Sequence, residues 1–305
     1  MSTEVTVADQ PDTRVEPVRT KPRRDWTNAL LRIWGILVYG FLFLPIFIIM
    51  AFSFNKGRAL LAWDGFGVDW YKTLPDNPVI RGAITTSLKA AVGSAIIATI
   101  LGSLAGIALA RRPGKWVIVF MALVFLVLVT PEIVDAIALL IWYVRIKGPF
   151  GPDFAVVGNN YGLLRLFIGH AIFSTAVVTL IVRARLAGLD ESLEEAGADL
   201  YAAPFTRFRQ ITLPLMMPAV LAGGLLAFSL SLDNTIISTF VSVAGASPWP
   251  VYVFSALRSI LRPEIAAVST LMLMLTLIAL TLVALVLRRS GDSAEEVAKT
   301  ITGAG

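Results

Sequence analysis

The chain has 305 residues, of which 56% are hydrophobic and 15% are charged, and its mean hydropathy is +0.76. Soluble domains average roughly 25% charged residues, so this composition indicates an integral membrane protein. The absence of cysteine and the single histidine exclude disulfides, thiolate sites and multi-histidine metal sites. The net charge of +5 comes from basic residues that flank apolar runs, which is typical of topology signals rather than of nucleic-acid binding.

The N-terminal part of the chain predicts a tail followed by a first membrane helix. Residues 1–28 are polar and end in the basic run Lys21-Pro22-Arg23-Arg24, so we expect a disordered tail held in the cytoplasm by its charge. The apolar run over residues 33–54 is too long for a signal-peptide core, and Pro45 is a predicted kink. Residues 29–80 therefore contain the first transmembrane helix and an outer loop.

Five more apolar runs follow, over residues 84–110, 116–144, 161–182, 218–243 and 265–287. Each is long enough to span a bilayer, and the glycines of the first of them favour close helix–helix approach. The segments that would then face the cytoplasm contain fifteen lysines and arginines, against eight in the segments that would face outward. Because cytoplasmic loops carry the excess of basic residues, the sequence predicts an all-α integral membrane protein with six transmembrane helices and cytoplasmic termini.

The loop between the fourth and fifth runs, residues 183–212, is charged and helix-prone. Asp190 or Ser192 is placed to begin a short helix, and Ser192-x-x-Glu195 fits a capping box. Pro204 is placed in the first turn of a second short helix over residues 205–210. Composition alone leaves two interpretations open, a helical hairpin lying on the membrane surface and a docking site for a partner.

The spacing within this loop resembles the EAA loop of ABC-importer permeases. Glu195-Ala196-Gly197 is followed after three residues by Tyr201 and after nine more by Ile211-Thr212-Leu213-Pro214, whereas the family has alanine at the position of Gly197 and glycine at that of Tyr201. In the family the loop is a pair of coupling helices that sits in a cleft of the ATPase subunit. A tyrosine in the left-handed turn typical of that glycine costs about 1–2 kcal/mol, so either the turn is built differently or the tyrosine has acquired a contact.

The resemblance extends over residues 65–288 and is closest to the permeases of spermidine/putrescine-type importers. It is carried by four stretches: Thr130-Pro131-Glu132-Ile133-Val134, Val182-Arg183-Ala184-Arg185-Leu186, Ser229-Leu230-Ser231-Leu232-Asp233-Asn234 and Pro263-Glu264-Ile265. The resemblance implies a type I ABC-importer permease fold with a cytoplasmic coupling-helix loop, a permease domain over residues 81–288 and a cytoplasmic tail over 289–305. Its implied ATPase-coupling residues include Asp199 and Pro204, and we expect Glu195 and Asp199 to transmit the ATPase motion.

Three acids lie within the predicted spans. Glu132 and Asp135 are three residues apart and share a helix face, and Asp233 lies in the middle of the fifth span. A carboxylate near the bilayer centre costs at least about 2.5–3.5 kcal/mol, so these acids are candidates for a substrate path, together with three neighbouring side chains, Asn234, Ser231 and Trp142. Trp142, Tyr143 and Phe228 would add cation–π contacts if they face the same path. The competing interpretation is that the acids hold helices together through hydrogen bonds; the lone His170 is assigned no role.

The sequence lacks the residues that ATP binding or enzyme catalysis would require. Gly114-Lys115 is followed by Trp116 and is not preceded by the phosphate-loop glycines, so energy for uphill transport would come from a partner. No catalytic constellation is evident, and we predict neither a cofactor nor an enzyme activity.

The sequence and its resemblance together predict the permease subunit of an ATP-driven importer in the cytoplasmic membrane. A linear polyamine such as spermidine or putrescine would supply the positive partner of the acids. The implied partners are a dimer of ATP-binding subunits, a second permease, expected to be a paralogue, an extracytoplasmic solute-binding protein and the lipid bilayer, with no nucleic acid. Alternatives are a permease for an anion or a metal complex, and an ATPase-independent channel or carrier.

Overall fold

The computed structural model of the protein describes residues 26–57, 62–112, 114–151, 161–257 and 263–289. These residues form α-helices joined by short turns, and one isolated bridge pairs Asn55 with Phe66. The helices are α1 Trp26–Phe52, α2 Asp69–Thr73, α3 Pro78–Arg111, α4 Lys115–Val129, α5 Glu132–Ile146, α6 Tyr161–Ala187, α7 Ser192–Asp199, α8 Pro204–Arg207, α9 Leu213–Asp233, α10 Ile236–Val241, α11 Trp249–Ala256 and α12 Pro263–Arg289. The predicted tails, apart from their helical ends, lie outside the described residues.

The chain divides into two compact units, residues 1–48 and 49–305. In its described part the first unit consists of α1 up to Ile48, with Pro45 inside the helix. The second unit contains all the other helices and every contact described below.

The membrane spans reach the predicted six only if one broken pair of helices is counted as a single span. Among the described residues, five helical segments are long and apolar enough to cross a membrane: 30–52, 78–111, 161–187, 204–233 and 264–286. The predicted third span is not continuous, because α4 and α5 are bent by 102° at Thr130 and Pro131 and count as a sixth span only if taken together. A proline disfavours helix at the residue before it, and Thr130 is extended with ψ 131°.

The predicted fifth span also differs at both ends. The helix begins at Pro204 rather than near residue 218, since α8 passes through a π turn at Phe208–Thr212 directly into α9. The second short helix of the loop and the fifth span are therefore one nearly continuous element. At the other end the helix stops at Asp233, where Asn234 is extended with ψ 101°, and α10 starts only at Ile236.

The helix α3 is the long central element of the second unit, and it packs mainly against α6 and α9. It begins six residues before the predicted start, because the side chain of Asn77 accepts hydrogen bonds from the backbone of Val79 and Ile80 and so caps its first turn. A Cβ added at Gly102 would lie 2.7 Å from Val178 Cβ of α6, and one at Gly106 would lie 2.9 Å from Val182 Cβ. The prediction that these glycines allow close helix approach is confirmed.

Candidate functional site

A cavity of about 530 Å³ opens where α4 meets α5 and where α9 meets α10. We call the interruption between α4 and α5 and that between α9 and α10 the two helix breaks. The cavity is walled by residues at both breaks and by residues of α6 and α12. Its polar lining residues are Thr130, Glu132, Asp135, His170, Ser174, Ser229, Asp233, Asn234, Thr235 and Thr276. The three acids singled out in the sequence, which lie on two different predicted spans, are thus brought to one cavity.

One hydrogen bond joins the two helix breaks. Asn234 Nδ2, just after the end of α9, donates to Glu132 Oε1, in the first turn of α5, at 2.6 Å. The carboxylates of Asp135 and Asp233 have no hydrogen-bond or ion-pair partner among the described residues, and Asp233 is exposed to the open cavity. The described lining contains no lysine or arginine, so the negative charge of the cavity is not neutralised within this part of the chain.

The helix ends add to this negative character. Helix α9 ends at Asp233, and α4 ends at Val129 next to Thr130, so two helix C-termini end at residues of the cavity wall. Helix C-termini carry a partial negative charge and favour cations. Glu132 and Asp135 lie in the first turn of α5, where the positive end of that helix dipole favours carboxylates. The cavity is therefore suited to a cation.

Two other predicted candidates do not line this cavity. Ser231 is buried, and its Oγ lies 2.6 Å from His170 Nδ1. Trp142 packs against Phe150, with ring centroids 5.2 Å apart. The ring of Tyr143 is already covered by the guanidinium of Arg165, which lies 5.0 Å from its centroid.

A second cavity, of about 400 Å³, shares Asp233, Thr235 and Thr276 with the first. Its other walls include the aromatic side chains of Trp249 and Phe254 on α11. The sequence places these aromatics in an outer loop and contains no signal that links them to Asp233. In the structure, Asp233 lies where an acidic cavity and an aromatic one meet.

The charged loop forms its predicted short helix as α7, and an ionic cluster ties it to the end of α3. Arg111 Nη1 and Nη2 each lie 2.8 Å from a carboxylate oxygen, of Glu191 and Glu194 respectively. Glu194 Oε1 also accepts a hydrogen bond from Thr212 Oγ1 at 2.8 Å. We call Arg111, Glu191, Glu194 and Thr212 the Arg111 cluster. Sequence reasoning missed it and chose Glu195 instead of Glu194; the only available signal was an arginine at the end of an apolar run.

The predicted capping box does not form at α7. The helix begins at Ser192, and its N-cap residue Glu191 makes no side-chain hydrogen bond to the first turn. Instead, Asp190 Oδ1 accepts a hydrogen bond from Ser192 N at 2.9 Å, in keeping with the other predicted arrangement. This bond lowers the pKa of Asp190 below its usual value because it stabilises the charged carboxylate.

The predicted coupling residues are divided among an open cleft, the turn beside it and the helices of the loop. Glu195 and Asp199 are exposed and line an open cleft of about 510 Å³ with Arg111 and Arg207. Gly197 is buried, and a Cβ there would lie 2.9 Å from Ile211 Cδ1. The remaining positions lie in three helices: Ala196 in α7, Pro204 at the start of α8, and Leu213 and Pro214 at the start of α9.

Tyr201 has the backbone conformation of the glycine that it replaces. Its φ is 58°, which is in the left-handed region, and its side chain is 97% exposed. The turn is thus built as a glycine would build it, and the tyrosine packs against nothing within the described chain. Leu200 and Phe205 on either side are also exposed. We call Leu200, Tyr201 and Phe205 the turn patch.

Comparison with known proteins identifies relatives over most of the chain. The model of the family described as binding-protein-dependent transport system inner membrane component matches residues 98–293. The spermidine/putrescine transport system permease protein PotC of Haemophilus influenzae is 36% identical over 254 residues, which is 83% of this chain and 95% of that protein. The putrescine transport system permease protein PotI of Escherichia coli is 36% identical over 255 residues, or 82% of this chain and 86% of that protein.

A solved structure shares the fold at low sequence identity. One chain of a bacterial ABC transporter involved in the import of the acidic polysaccharide alginate superposes with a TM-score of 0.67 at 14% identity, covering 88% of this chain and 96% of that one. The chain therefore has the same fold as a chain of a solved ABC transporter, as the resemblance in the sequence implied.

Proposed function

The chain belongs to the family of binding-protein-dependent transport system inner membrane components, and on that premise we propose that it is the permease subunit of an ATP-driven importer for a small polyamine such as putrescine or spermidine. Its named relatives are permeases of spermidine/putrescine and putrescine transport systems. The observation that carries the proposal for this chain is the cavity at the two helix breaks, where Glu132, Asp135 and Asp233 meet without a basic residue in the described lining.

The distribution of charge in the cavity favours an elongated cation over a compact one. Among the described residues, no three histidine, aspartate or glutamate side chains lie close enough together to hold a metal ion. Glu132 and Asp135 lie in the first turn of α5, whereas Asp233 ends α9, so separate ammonium groups on a flexible chain would each find a carboxylate. An anion would meet only negative charge in this lining, which disfavours the alternative of an anion permease.

The second cavity offers a place for the uncharged part of such a solute. Trp249 and Phe254 present aromatic surface beside the carboxylate of Asp233. Methylene groups bury their apolar surface against aromatic rings, and an ammonium group gains from the ring face. A linear polyamine has both features in alternation, so the adjoining cavities fit its chemistry.

The charged loop is where we propose that the ATP-binding subunits dock. The turn patch exposes apolar surface in a loop that is otherwise polar, and Glu195 and Asp199 lie exposed beside it. An apolar centre with charged residues around it is the usual composition of a protein–protein interface. With the loop on the cytoplasmic side, both termini are cytoplasmic as well, and a second permease and an extracytoplasmic binding protein complete an alternating-access importer.

The test is putrescine uptake by the assembled complex in proteoliposomes. Asp233→Asn and Glu132→Gln remove a carboxylate from the cavity with little change of shape. Because a hydrogen bond to a charged group contributes about 1.5–3 kcal/mol, we expect KM to rise about tenfold or more while the ATPase still co-purifies. Asp76→Asn is the matched control, since Asp76 is exposed on the 3₁₀ turn before α3 and away from the cavity.

Two outcomes would contradict the proposal. Unchanged uptake in both cavity variants would remove these acids from the solute path. Uptake by the purified chain alone, without ATP-binding subunits, would identify a channel or carrier instead of an importer subunit.

A further inference from the structure

The histidine side chain lies between the two segments that flank the α9–α10 break. His170, in the middle of α6, has both ring nitrogens in hydrogen-bond contact: Nδ1 with Ser231 Oγ at 2.6 Å and Nε2 with Ser238 Oγ at 2.9 Å. Ser231 is in α9 and Ser238 is in α10, so the two bonds fall on opposite sides of the break at Asn234 and Thr235. One ring thus joins three helices.

The contacts continue from α10 to α5. Ser238 N donates to Asn234 Oδ1 at 3.3 Å, and Asn234 Nδ2 donates to Glu132 Oε1 at 2.6 Å. We call Glu132, Asn234, Ser238, His170 and Ser231 the His170 network. It extends from the start of α5 to the last turn of α9 and contacts both helix breaks, with Glu132, Asn234 and His170 on the cavity wall.

The network is buried at its His170 end. His170, Ser231 and Ser238 are 2%, 4% and 0% exposed. Buried polar groups that lose their partner are strongly disfavoured, so each of these hydroxyls and ring nitrogens depends on the others. A neutral imidazole has one donor and one acceptor nitrogen, so one serine donates to the ring and the other accepts. The ring therefore sets a defined arrangement rather than merely filling space.

We propose that His170 is the positioning residue of the cavity: by bonding Ser238 it fixes the start of α10, and through the backbone of Ser238 it directs Asn234 onto Glu132. The effect on transport rests on the function proposed above, whereas the effect on the conformation of the break does not. Any change of the α9–α10 break during transport must open or rearrange this network.

The conformational test uses one introduced thiol, because the chain has no cysteine of its own. Ile236, the first residue of α10, lines the cavity and is 41% exposed. In the assembled complex in nanodiscs, the thiol of I236C is labelled with a small cationic methanethiosulfonate reagent. We expect the labelling rate to rise about tenfold, the factor for one lost hydrogen bond, when S238A or H170N is added.

The conservative variant separates hydrogen bonding from packing. A glutamine amide reaches the position of the imidazole Nε2, whereas an asparagine amide reaches that of Nδ1, so H170Q keeps the bond to Ser238 and H170N does not. We expect H170Q to label within about twofold of the parent. S94A is the matched serine control, because Ser94 is buried but, within the described part of the chain, its hydroxyl bonds only to Ala91 O of its own helix.

Each result decides the proposal. Equal labelling of S238A and S94A, or of H170N and H170Q, would reduce His170 to a packing residue. Putrescine uptake gives the second readout: H170N should raise the KM for putrescine more than H170Q does. If the parent complex takes up no putrescine, the proposed function fails, and the labelling rates still decide the role of His170.

Discussion

The Arg111 cluster offers the sharpest quantitative prediction, because its two ion pairs, Arg111 with Glu191 and Arg111 with Glu194, differ in solvent exposure. The side chain of Arg111 is 17% exposed, that of Glu194 is 28% exposed and that of Glu191 is 70% exposed. An ion pair with a solvent-exposed partner contributes about 0.5 kcal/mol, whereas a shielded hydrogen bond between charged groups contributes about 1.5–3 kcal/mol. The buried Nε of Arg111 has no hydrogen-bond partner among the described residues, which offsets part of this gain. The net contribution is about 2 kcal/mol.

The perturbation is Arg111→Ala, which removes both ion pairs and leaves Glu194 bonded to Thr212 alone. A loss of about 2 kcal/mol corresponds to about a thirtyfold shift in the equilibrium between α7 held against α3 and α7 released. Amide hydrogen exchange in α7 measures that equilibrium directly, since exchange follows local opening. We therefore expect exchange in α7 to become about thirtyfold faster, and the number of solute molecules imported per ATP to fall.

Two controls make the result specific. Arg112→Ala removes the adjacent exposed arginine, which has no ion pair in the part of the chain that the structure describes, and should leave exchange unchanged. The double variant R111E/E194R reverses the charges and should restore much of the protection. Exchange in Arg111→Ala that equals that of Arg112→Ala would refute the reasoning.

Three further predictions concern other parts of the structure. Tyr201→Gly removes a left-handed strain of about 1–2 kcal/mol, partly offset by the backbone entropy of glycine, so thermal stability should stay level or rise while ATPase co-purification falls; retained co-purification would remove Tyr201 from the interface. Gly102→Val should destabilise the chain by about 1–3 kcal/mol through overpacking against Val178. Gly82→Ala in the same helix, with nothing within 4 Å of an added Cβ, should instead leave thermal stability level or raise it, because alanine is the better helix former. Because the pKa of Asp190 is lowered in the folded state, its bond to Ser192 stabilises α7 fully above the ordinary carboxyl pKa of about 4. This stabilisation is lost as the pH falls through the lower folded-state pKa. Asp190→Asn should therefore abolish the acid dependence of amide hydrogen exchange at Ser192.

The long helices could be predicted from the sequence because local signals mark them. The runs that became α3, α6 and α12 are predominantly apolar and end at basic residues, although the first contains Lys89 and the second Arg165. Their predicted bounds lie within a few residues of the observed ones at most ends. A break at Thr130 could in principle be predicted, because Pro131 follows it in the sequence. Hydropathy, however, does not distinguish a continuous span from two helices bent by 102°. The extent of bending depends on what packs around the proline.

The contacts that build the site could not be predicted in the same way. Arg111 and Glu194 are 83 residues apart in the chain, and His170 and Ser238 are 68 apart; no periodicity or spacing in one sequence links such pairs. The intramembrane acids could be named as candidates because an uncompensated charge in an apolar run is conspicuous. That they share one cavity, and that Trp142 lies outside it, depends on how the helices are rotated about their axes.

The close packing of α3 against α6 has a mechanical consequence. Gly102 and Gly106 bring the two backbones so near that α3 cannot slide or bow locally without a clash with Val178 or Val182, so it moves as a stiff lever. Arg111 at one end holds α7, and Ser87, about 36 Å away at 1.5 Å per residue, accepts a hydrogen bond from the backbone of Trp249. A tilt of about 5° set by the loop would displace the Ser87 region by about 3 Å over that length. Trp249 is part of the wall of the aromatic cavity, so a small rotation imposed at the loop would directly change the shape of the proposed solute site.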